Sequence, residues 1–305
     1  MVEDGMVTDK ISRATQSNSP ILAAVDGSAS SYQAVAWAAA EAALHRRALH
    51  IITSMAIPTG FGPGISLGEA DLEWLRRDGD RILTEAARVA RTAAPGEELP
   101  ITTEVSFELA IPLLIERSAQ ARMLVVGSRG RGAFQRGLLG SVSIATTHHA
   151  HCPVAVIHGI SAIDAVSARQ PVLVGVDGTG NSVPAVELAF EEASRRKVDL
   201  VALHAWSDTS GTDMPARGWD AARESAEAVL AESLVGWGER YPDVTVRRVV
   251  TADRPVRSLL EQSADAQLLI VGTRGRGGFV STVLGSTSNA LLHSVEVPMI
   301  VVRSR

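Results

Sequence analysis

Two glycine-rich segments of identical spacing are the residues best suited to bind a ligand. The segment 127–141 consists of GSRG, nine further residues and GS, and the segment 272–286 consists of GTRG, nine further residues and GS. Glycines let a backbone approach a ligand closely, and the amides of such a loop and of a helix N-terminus donate hydrogen bonds to anionic oxygens. A merely flexible connection would not need this fixed spacing, so the pattern favours a phosphate-binding loop.

Each loop lies between an apolar stretch and a helical pattern. The stretches 124–126 and 269–271 predict the preceding strands, and helices are expected from Ser141 and Ser286. The loops therefore fall at the carboxyl ends of strands, where open α/β sheets bind ligands. We expect Ser141 and Ser286 to cap these helices in the ligand-free protein and to donate their hydroxyls to a phosphate in the bound one.

Two aspartates, Asp26 and Asp177, end the first strand of each half and so come to the same edge of the sheet as the loops. A carboxylate there can accept hydrogen bonds from ribose hydroxyls or hold a magnesium ion that bridges phosphates. The alternative is a helix-capping or turn aspartate, because DGS and DGT are also good turn sequences. Repetition of the aspartate beside a glycine loop favours ligand binding.

The loops carry four arginines and lack other nucleotide-binding signatures. No Walker-type GxxxxGK[ST] sequence occurs, and Gln135 and Val280 stand where a dinucleotide-binding fingerprint needs Gly or Ala. The arginines could clamp phosphates or remain solvated surface charges, and both interpretations stay open. They are Arg129, Arg131, Arg274 and Arg276.

The chain is a duplication. The segments 124–143 and 269–288 share 12 of 20 residues without a gap, which excludes a chance match, and 21–28 matches 172–179. The offset between matching residues of the two copies is 151 at the aspartates (177 − 26) and 145 at the loops (272 − 127). The first copy therefore contains six extra residues between these two motifs, which we place in a loop such as 60–68. We expect a flexible extension (1–19), a first domain (20–158), a linker (159–170) and a second domain (171–303).

Composition limits the class of protein. The chain has 305 residues, 46% of them hydrophobic and 21% charged, which predicts two globular domains of ordinary size. A net charge of −5 without a basic stripe argues against a nucleic-acid partner. The single cysteine, Cys152, predicts a reducing compartment, and no segment has the pattern of a signal peptide or membrane span, so we expect a cytoplasmic protein.

Apolar runs alternate with helical patterns in both halves, which is typical of βα units and a parallel sheet. In the second half, Asn181 or Ser182 is expected to cap a helix that has Pro184 in its first turn and an apolar stripe including Val183 and Phe190. The predicted strands are 20–25, 48–54, 101–106, 122–127 and 153–158 in the first half, and 171–176, 199–205, 243–250, 267–272 and 297–302 in the second.

The run His148-His149-Ala-His151-Cys152 contains good zinc ligands. The aligned segment 293–297 reads HSVEV and keeps no such set. Histidines in the last turn of a helix also interact favourably with its dipole. We therefore favour a structural role over a metal site, with Cys152 as a small buried hydrophobe.

The strand ending in VDGS, the doubled G-2x-G-9x-G-S loop and the closing PV strand together resemble the universal stress protein family, in its ATP-binding branch and its tandem form. The resemblance covers residues 20–303, and the Ala- and Arg-rich composition is similar to that of actinobacterial, mycobacterial members. It implies, in each half, an α/β fold with an open five-stranded parallel sheet of order 3-2-1-4-5 and helices on both faces. It also implies two ATP sites in which no glycine has been lost.

The resemblance assigns matching residues to both ATP sites and no catalytic residue or structural metal. In the first site, the ribose and phosphates would lie near Ala24, Val25 and Asp26, the adenine near the backbone of Ser54 and Met55, the ribose and phosphate chain near Gly127, Ser128, Arg129, Gly130, Arg131, Gly132 and Ala133, and the phosphate end near Gly140, Ser141, Val142 and Ser143. In the second, the matching residues are Gly175, Val176 and Asp177; Ala205 and Trp206; Gly272, Thr273, Arg274, Gly275, Arg276, Gly277 and Gly278; and Gly285, Ser286, Thr287 and Ser288.

These observations predict a regulatory protein in which ATP, with magnesium, biases conformation or the binding of a still unknown regulatory partner during stress. The loops contain arginines but no lysine, and no further acid stands near the glycines to orient water, so any hydrolysis of ATP should be slow. The alternative function is a slow ATPase or nucleotide-transferring enzyme on the same fold, although neither an SGGxDS nor an HIGH element occurs. A scaffold that binds no nucleotide is a third possibility, against which the intact glycines weigh.

The last strand of each half (153–158 and 297–302) would form an apolar sheet edge, which must be paired or covered. We expect these strands to pair between the halves, and the chain to form a homodimer with two-fold symmetry.

Overall fold

The computed structural model describes residues 19–56, 68–96, 98–130, 139–159, 167–206, 219–273 and 284–303. Within these ranges the chain forms two compact units. The first takes its residues from Met1–Ala133, Gly140–Thr146 and Ala150–Cys152, and the second from Phe134–Leu139, Thr147–His149 and Pro153–Arg305. None of the helices in these ranges combines the length and the hydropathy that crossing a membrane requires.

The first unit contains a parallel sheet of order β3-β2-β1-β4. The connections between its strands are helical, as right-handed βαβ units require. The elements of the first repeat are β1 (Ile21–Ala24), α1 (Ala29–His45), β2 (Leu49–Ser54), α2 (Glu69–Ala93), β3 (Ile101–Ser106), α3 (Ala110–Ser118), β4 (Met123–Gly127), α4 (Ser141–His149) and β5 (Val154–Ile157).

The second unit repeats this arrangement, with a parallel sheet of order β8-β7-β6-β9-β10. It also contains β5, which pairs antiparallel with β10. The elements of the second repeat are β6 (Val172–Gly175), α5 (Val183–Arg196), β7 (Leu200–Ala205), α6 (Trp219–Ser233), α7 (Trp237–Arg240), β8 (Val246–Thr251), α8 (Pro255–Ser263), β9 (Leu268–Gly272), α9 (Ser286–Ser294) and β10 (Met299–Val302).

The predicted α/β fold is confirmed, and each predicted strand has a counterpart whose ends differ by at most three residues. The second repeat follows the order 3-2-1-4-5 in full, and the first follows 3-2-1-4 within its own unit. The expected pairing of the two closing strands is also found, as Val156↔Met299 and Val154↔Val301. Because this pairing already satisfies both edges, it removes the edge argument for a homodimer, which stays a prediction.

Helices cover both faces of the sheet. Gly79 of α2 packs on Val105, because a Cβ at Gly79 would lie 2.9 Å from a methyl of that side chain. The adjacent residue of β3, Glu104, instead binds Arg117 of α3. Successive side chains of a strand point to opposite faces, so α2 and α3 lie on opposite sides. This double cover explains why β4 and β9 are continuous apolar runs whose residues are almost completely buried.

The six extra residues of the first repeat lie between its second and third strands. Residues 55–100 connect β2 to β3, which is 46 residues, whereas 206–245 connect β7 to β8, which is 40. Of the loop 60–68 in which we placed them, residues 60–67 lie outside the described residues. Within those residues the two connections differ in their helices: α2 is one helix of 25 residues, whereas α6 ends at Ser233 and the short α7 follows Gly236, whose φ is +80°.

Candidate functional site

A tight turn presents Asp26 at the carboxyl end of β1. The buried Val25 donates its backbone N–H to the carbonyl of Ile52 at 3.0 Å, which extends the sheet by one residue. Gly27 then turns the chain with a φ of +83°, a conformation that glycine adopts without strain. The Oδ1 of Asp26 accepts the N–H of Ser28 at 2.9 Å, and Ser28 is itself the N-cap of α1. Asp26 therefore stabilises this turn through Oδ1, and the helix cap is Ser28; the role of Asp26 toward a ligand stays a prediction.

The first glycine loop leaves β4 beside this turn. A Cβ on Gly127 would lie 2.8 Å from the carbonyl oxygen of Ser30, and a Cβ on Gly130 would lie 2.7 Å from Oδ2 of Asp26. The backbone N–H of Arg129 donates to the hydroxyl of Ser30 at 3.4 Å. A side chain at position 127 would therefore press on the backbone of α1, and one at position 130 would require the Asp26 carboxylate to move. The loop thus lies beside the aspartate with which the sequence pattern paired it.

Two hydrogen bonds close the other end of this loop. The N–H of Gly140 donates to the carbonyl of Ser128 at 2.8 Å, and the buried hydroxyl of Ser143 donates to the carbonyl of Gly127 at 2.7 Å. The start of α4 is consequently held against the end of β4. Three predicted site residues of the loop, Arg131, Gly132 and Ala133, lie outside the described residues.

The second repeat has the same closing bonds. The N–H of Gly285 donates to the carbonyl of Thr273 at 2.6 Å, and the hydroxyl of Ser288 donates to the carbonyl of Gly272 at 2.7 Å. Asp177 follows β6 and precedes Gly178, whose φ is +77°. Bonds at aligned positions thus join the two ends of the glycine loop in the same way in both repeats. The predicted residues Arg274, Gly275, Arg276, Gly277 and Gly278 lie outside the described residues.

The expectation that Ser141 and Ser286 cap their helices is wrong. The N-cap positions are taken by Gly140 and Gly285, whose extended backbone has φ of −68° and −67°, and neither cap makes a side-chain hydrogen bond. Ser141 and Ser286 are the exposed first residues of α4 and α9. A glycine cap leaves the first-turn amides without a side-chain acceptor from the cap residue. The role of the two hydroxyls toward a phosphate stays a prediction.

The positions assigned to the adenine lie where β2 and β7 end. The hydroxyl of Ser54 donates to the carbonyl of Glu108 at 2.6 Å. The N–H groups of Met55 and Trp206 donate to the carbonyls of Ser106 and Thr251, at 2.8 and 3.1 Å. These amides therefore continue the sheet in both repeats. Of the remaining predicted residues, Val176 is buried, and Ala24, Gly175, Ala205, Val142 and Thr287 are half-buried.

Sequence reasoning missed two residues that bond to predicted site residues of the second repeat, Thr179 and His204. The Oγ1 of Thr179 lies 2.9 and 3.0 Å from the two carboxylate oxygens of Asp177, and its N–H donates to Oδ1 at 2.8 Å. The buried His204 donates from Nδ1 to the carbonyl of Val176 at 2.6 Å. The available signal was a difference between the repeats: the aligned residues of the first are Ser28 and Thr53. Ser28 keeps the backbone bond to the aspartate but uses its hydroxyl to accept the N–H of Ser31, and the Thr53 hydroxyl has no hydrogen-bond partner among the described residues.

The His and Cys run lies at the end of α4. The N–H of His151 donates to the hydroxyl of Ser118 at 2.8 Å. Burial, and to a smaller degree the neighbouring His149, lowers the pKa of His148. Burial raises the pKa of the Cys152 thiol to about 12, so this group stays protonated at neutral pH and is a poor nucleophile.

Comparison with known proteins identifies the family. The universal stress protein family model matches residues 18–158 and 168–303. A universal stress protein of Mycobacterium tuberculosis is 44% identical over 284 residues, covering 93% of this chain and 96% of that protein, and one of Mycolicibacterium smegmatis is 43% identical over 291 residues, covering 93% and 97%. A solved universal stress protein from Archaeoglobus fulgidus shares the fold, with a TM-score of 0.65, 21% identity and coverage of 95% of this chain and 97% of that one. The chain therefore belongs to the universal stress protein family and contains two of its domains in tandem.

Proposed function

We propose that each repeat binds one ATP at the carboxyl edge of its sheet, and that the protein is a regulatory nucleotide sensor of the stress response. The observation that carries this proposal is the close approach of Gly130 to the Asp26 carboxylate. A bare backbone that donates N–H groups to anionic oxygens thus lies directly beside a carboxylate that accepts from sugar hydroxyls. A nucleotide contains both phosphates and a ribose, so it needs the N–H donors and the carboxylate side by side.

The glycines support a ligand of this kind because they let the loop backbone lie close to the Asp26 carboxylate and to α1. A methyl group at Gly130 would occupy the space beside Oδ2 of Asp26, and one at Gly127 would press on the backbone of α1. The starts of α4 and α9, each with a glycine cap, add the partial positive charge of a helix N-terminus. In the alternative role, Asp26 and Asp177 would hold magnesium, which neutralises phosphate charge, in place of the ribose hydroxyls.

A sensor is favoured over an enzyme by what the loops contain. Phosphoryl transfer needs a cationic clamp and a group that positions the attacking water. The two loop sequences supply arginines but no lysine, and no second acid stands among their glycines. Bound ATP should consequently persist, and it can act as a signal if it binds one conformation of the protein more tightly than another.

The nucleotide content of the purified protein tests the proposal. The protein is denatured, and the released nucleotides are separated and counted per chain. We expect about two ATP per chain in the native protein, one in each repeat. The double variant Gly127→Ala, Gly272→Ala should contain none. Gly238→Ala in α7 is the control, because a Cβ there meets no atom within 4 Å. Protein that is empty and takes up no added ATP with magnesium would contradict the proposal, and bound ADP would favour a slow ATPase.

A further inference from the structure

We propose that the base of the bound nucleotide stacks on one aromatic ring in each repeat, and that the two repeats take this ring from different strands. The ring is that of Phe107, which follows β3, in the first site and that of Trp206, which follows β7, in the second. This inference rests on the proposed function. It concerns the end of each site that lies farthest from the glycine loop.

The strand order sets the direction in which a nucleotide would lie along the sheet edge. In the first repeat the glycine loop follows β4, Asp26 follows β1, and the position assigned to the adenine follows β2. Phosphates, ribose and base then lie over β4, β1 and β2 in turn, which is the order in which they are bonded in ATP. Neighbouring strands are about 4.8 Å apart, so the end of β3 lies beside the far edge of the base.

The segment that follows β3 is bonded directly to the adenine position of the first site. The carbonyl of Glu108 accepts the hydroxyl of Ser54 at 2.6 Å, and the carbonyl of Ser106 accepts the N–H of Met55 at 2.8 Å. Phe107 stands between these two acceptors in the chain and is 41% exposed. A large aromatic side chain is thus carried by the same segment that holds the adenine position in place.

The ring of Phe107 already makes one contact of the stacking kind. The guanidinium carbon of Arg76, in α2, lies 5.7 Å from the ring centroid, which is a cation–π distance. Leu109, two residues further along the chain, is also exposed. Aromatic rings bind bases by stacking, for which every base has a suitable face, and exposed apolar surface at a ligand site favours such a contact.

The second repeat takes its aromatic residue from the neighbouring strand. It has Ala252 where the first repeat has Phe107, and it has Trp206 where the first repeat has Met55. The N–H of Trp206 donates to the carbonyl of Thr251 at 3.1 Å, which is the counterpart of the Met55 bond, so the two residues occupy the same place in their sheets. At these two positions each repeat therefore has one aromatic side chain.

Both rings belong to the same face of their sheets. A Cβ on Gly79 of α2 would lie 3.2 Å from Cγ of Met55 and 2.9 Å from a methyl of Val105, so these two side chains face α2. Because side chains alternate along a strand, Phe107 lies on the face of Val105, and Trp206 takes the face that corresponds to Met55. A base in either site can therefore meet its ring from the same side.

Single-site proteins test the two assignments separately. Gly272→Ala leaves the first site and Gly127→Ala leaves the second, and each is titrated calorimetrically with the magnesium complexes of ATP and of inorganic tripolyphosphate, which has no base. In the Gly272→Ala protein, Phe107→Ala should weaken ATP binding about tenfold or more and leave tripolyphosphate binding unchanged. In the Gly127→Ala protein, Trp206→Ala should have this effect, whereas Phe107→Ala should change neither affinity.

Two further variants of the Gly272→Ala protein are controls. Phe107→Tyr keeps an aromatic ring and should keep the ATP affinity within about threefold of the parent. Trp74→Ala removes a side chain of α2 that is 61% exposed; Trp74 is two residues from Arg76 and so lies on another face of the helix. This second control should leave the ATP affinity unchanged. Thermal unfolding checks that every variant is folded.

The possible results separate this inference from the proposed function. Folded Phe107→Ala or Trp206→Ala protein that binds ATP as tightly as its single-site parent overturns the assignment of that ring. Equal losses of affinity for ATP and tripolyphosphate overturn stacking on the base as the cause. If neither single-site parent binds ATP, the proposed function itself is contradicted.

Discussion

The two repeats close their glycine loops with the same hydrogen bonds but differ in the turn that follows the first strand. α1 begins at Ala29, three residues after Asp26, whereas α5 begins at Val183, six residues after Asp177. The loop-closing bonds of Ser143 and Ser288 nevertheless have the same length, 2.7 Å. The closing of the loop therefore depends on residues within the loop and its helix. The conformation of the turn depends on the role of one hydroxyl: that of Ser28 caps a helix, whereas that of Thr179 binds an aspartate.

A second difference lies in the core. Phe190 of α5 stacks on Trp237 and Tyr241 at centroid distances of 5.8 Å, and Arg240 lies over both of those rings. The aligned residue of the first repeat is Ala39, which is also fully buried. There the single long helix α2 occupies the connection that α6 and α7 share in the second repeat. The two repeats thus differ here in the helices of this connection and in the aromatic side chains that pack on Phe190.

The largest expected effect comes from removing this cluster. Phe190→Ala should destabilise the second repeat by about 3–5 kcal/mol, because it leaves a cavity where a side chain of 1% exposure stood. The free energy of unfolding is measured in urea by tryptophan fluorescence. Val235→Ala is the control, since Val235 is 76% exposed and its truncation should cost less than about 0.5 kcal/mol. A loss below about 1 kcal/mol for Phe190→Ala would show that the cluster does not stabilise the repeat.

A medium effect should distinguish the aligned positions 53 and 204. His204→Ala leaves the buried carbonyl of Val176 without its donor and should cost about 1–3 kcal/mol. Thr53→Val should instead stabilise the protein by about 1 kcal/mol, because the buried Thr53 hydroxyl has no hydrogen-bond partner among the described residues. Urea unfolding of the two variants measures both changes. Destabilisation by Thr53→Val would mean that its hydroxyl is bonded after all.

The smallest effect is a pH dependence that arises from Glu104 of the first repeat. Burial alone would raise the pKa of Glu104, but hydrogen bonds from Arg117 and His50 outweigh it and lower the pKa. A lowered pKa contributes stability that is present above the pKa of the unfolded chain and is lost as pH falls through the folded value. Because the ion pairs are partly exposed, we expect this contribution to be below about 1 kcal/mol.

Glu104→Gln should remove that contribution. The variant should be slightly less stable than the native protein at pH 7, and the difference should shrink as the pH falls below about 4. The aligned residue of the second repeat is Val249, so no such dependence is expected from that position. Urea unfolding at several pH values measures the difference. A constant gap between variant and native protein from pH 7 to pH 3 would contradict the assignment to Glu104.

Patterns that are local in the chain were sufficient for the strands, the duplication and the glycine loops. A strand buried on both faces must be apolar at every position. Runs such as 124–126 and 269–271 can therefore be recognised as strands without knowledge of the strand order. The loop spacing is equally local, because its closing bonds join residues at most 16 positions apart. The family resemblance depended on these same segments.

Contacts between distant segments could not be predicted in this way. Ser30 meets Gly127 and Arg129 about a hundred residues later, and His204 reaches the carbonyl of Val176 from another strand. The helix caps Gly140 and Gly285 were also missed, because a preference for serine at such positions is weaker than the bonds that place the loop. A residue's pattern indicates which groups it can bond, but the bond it makes is chosen by whichever partners the packed sheet and helices bring within about 3 Å.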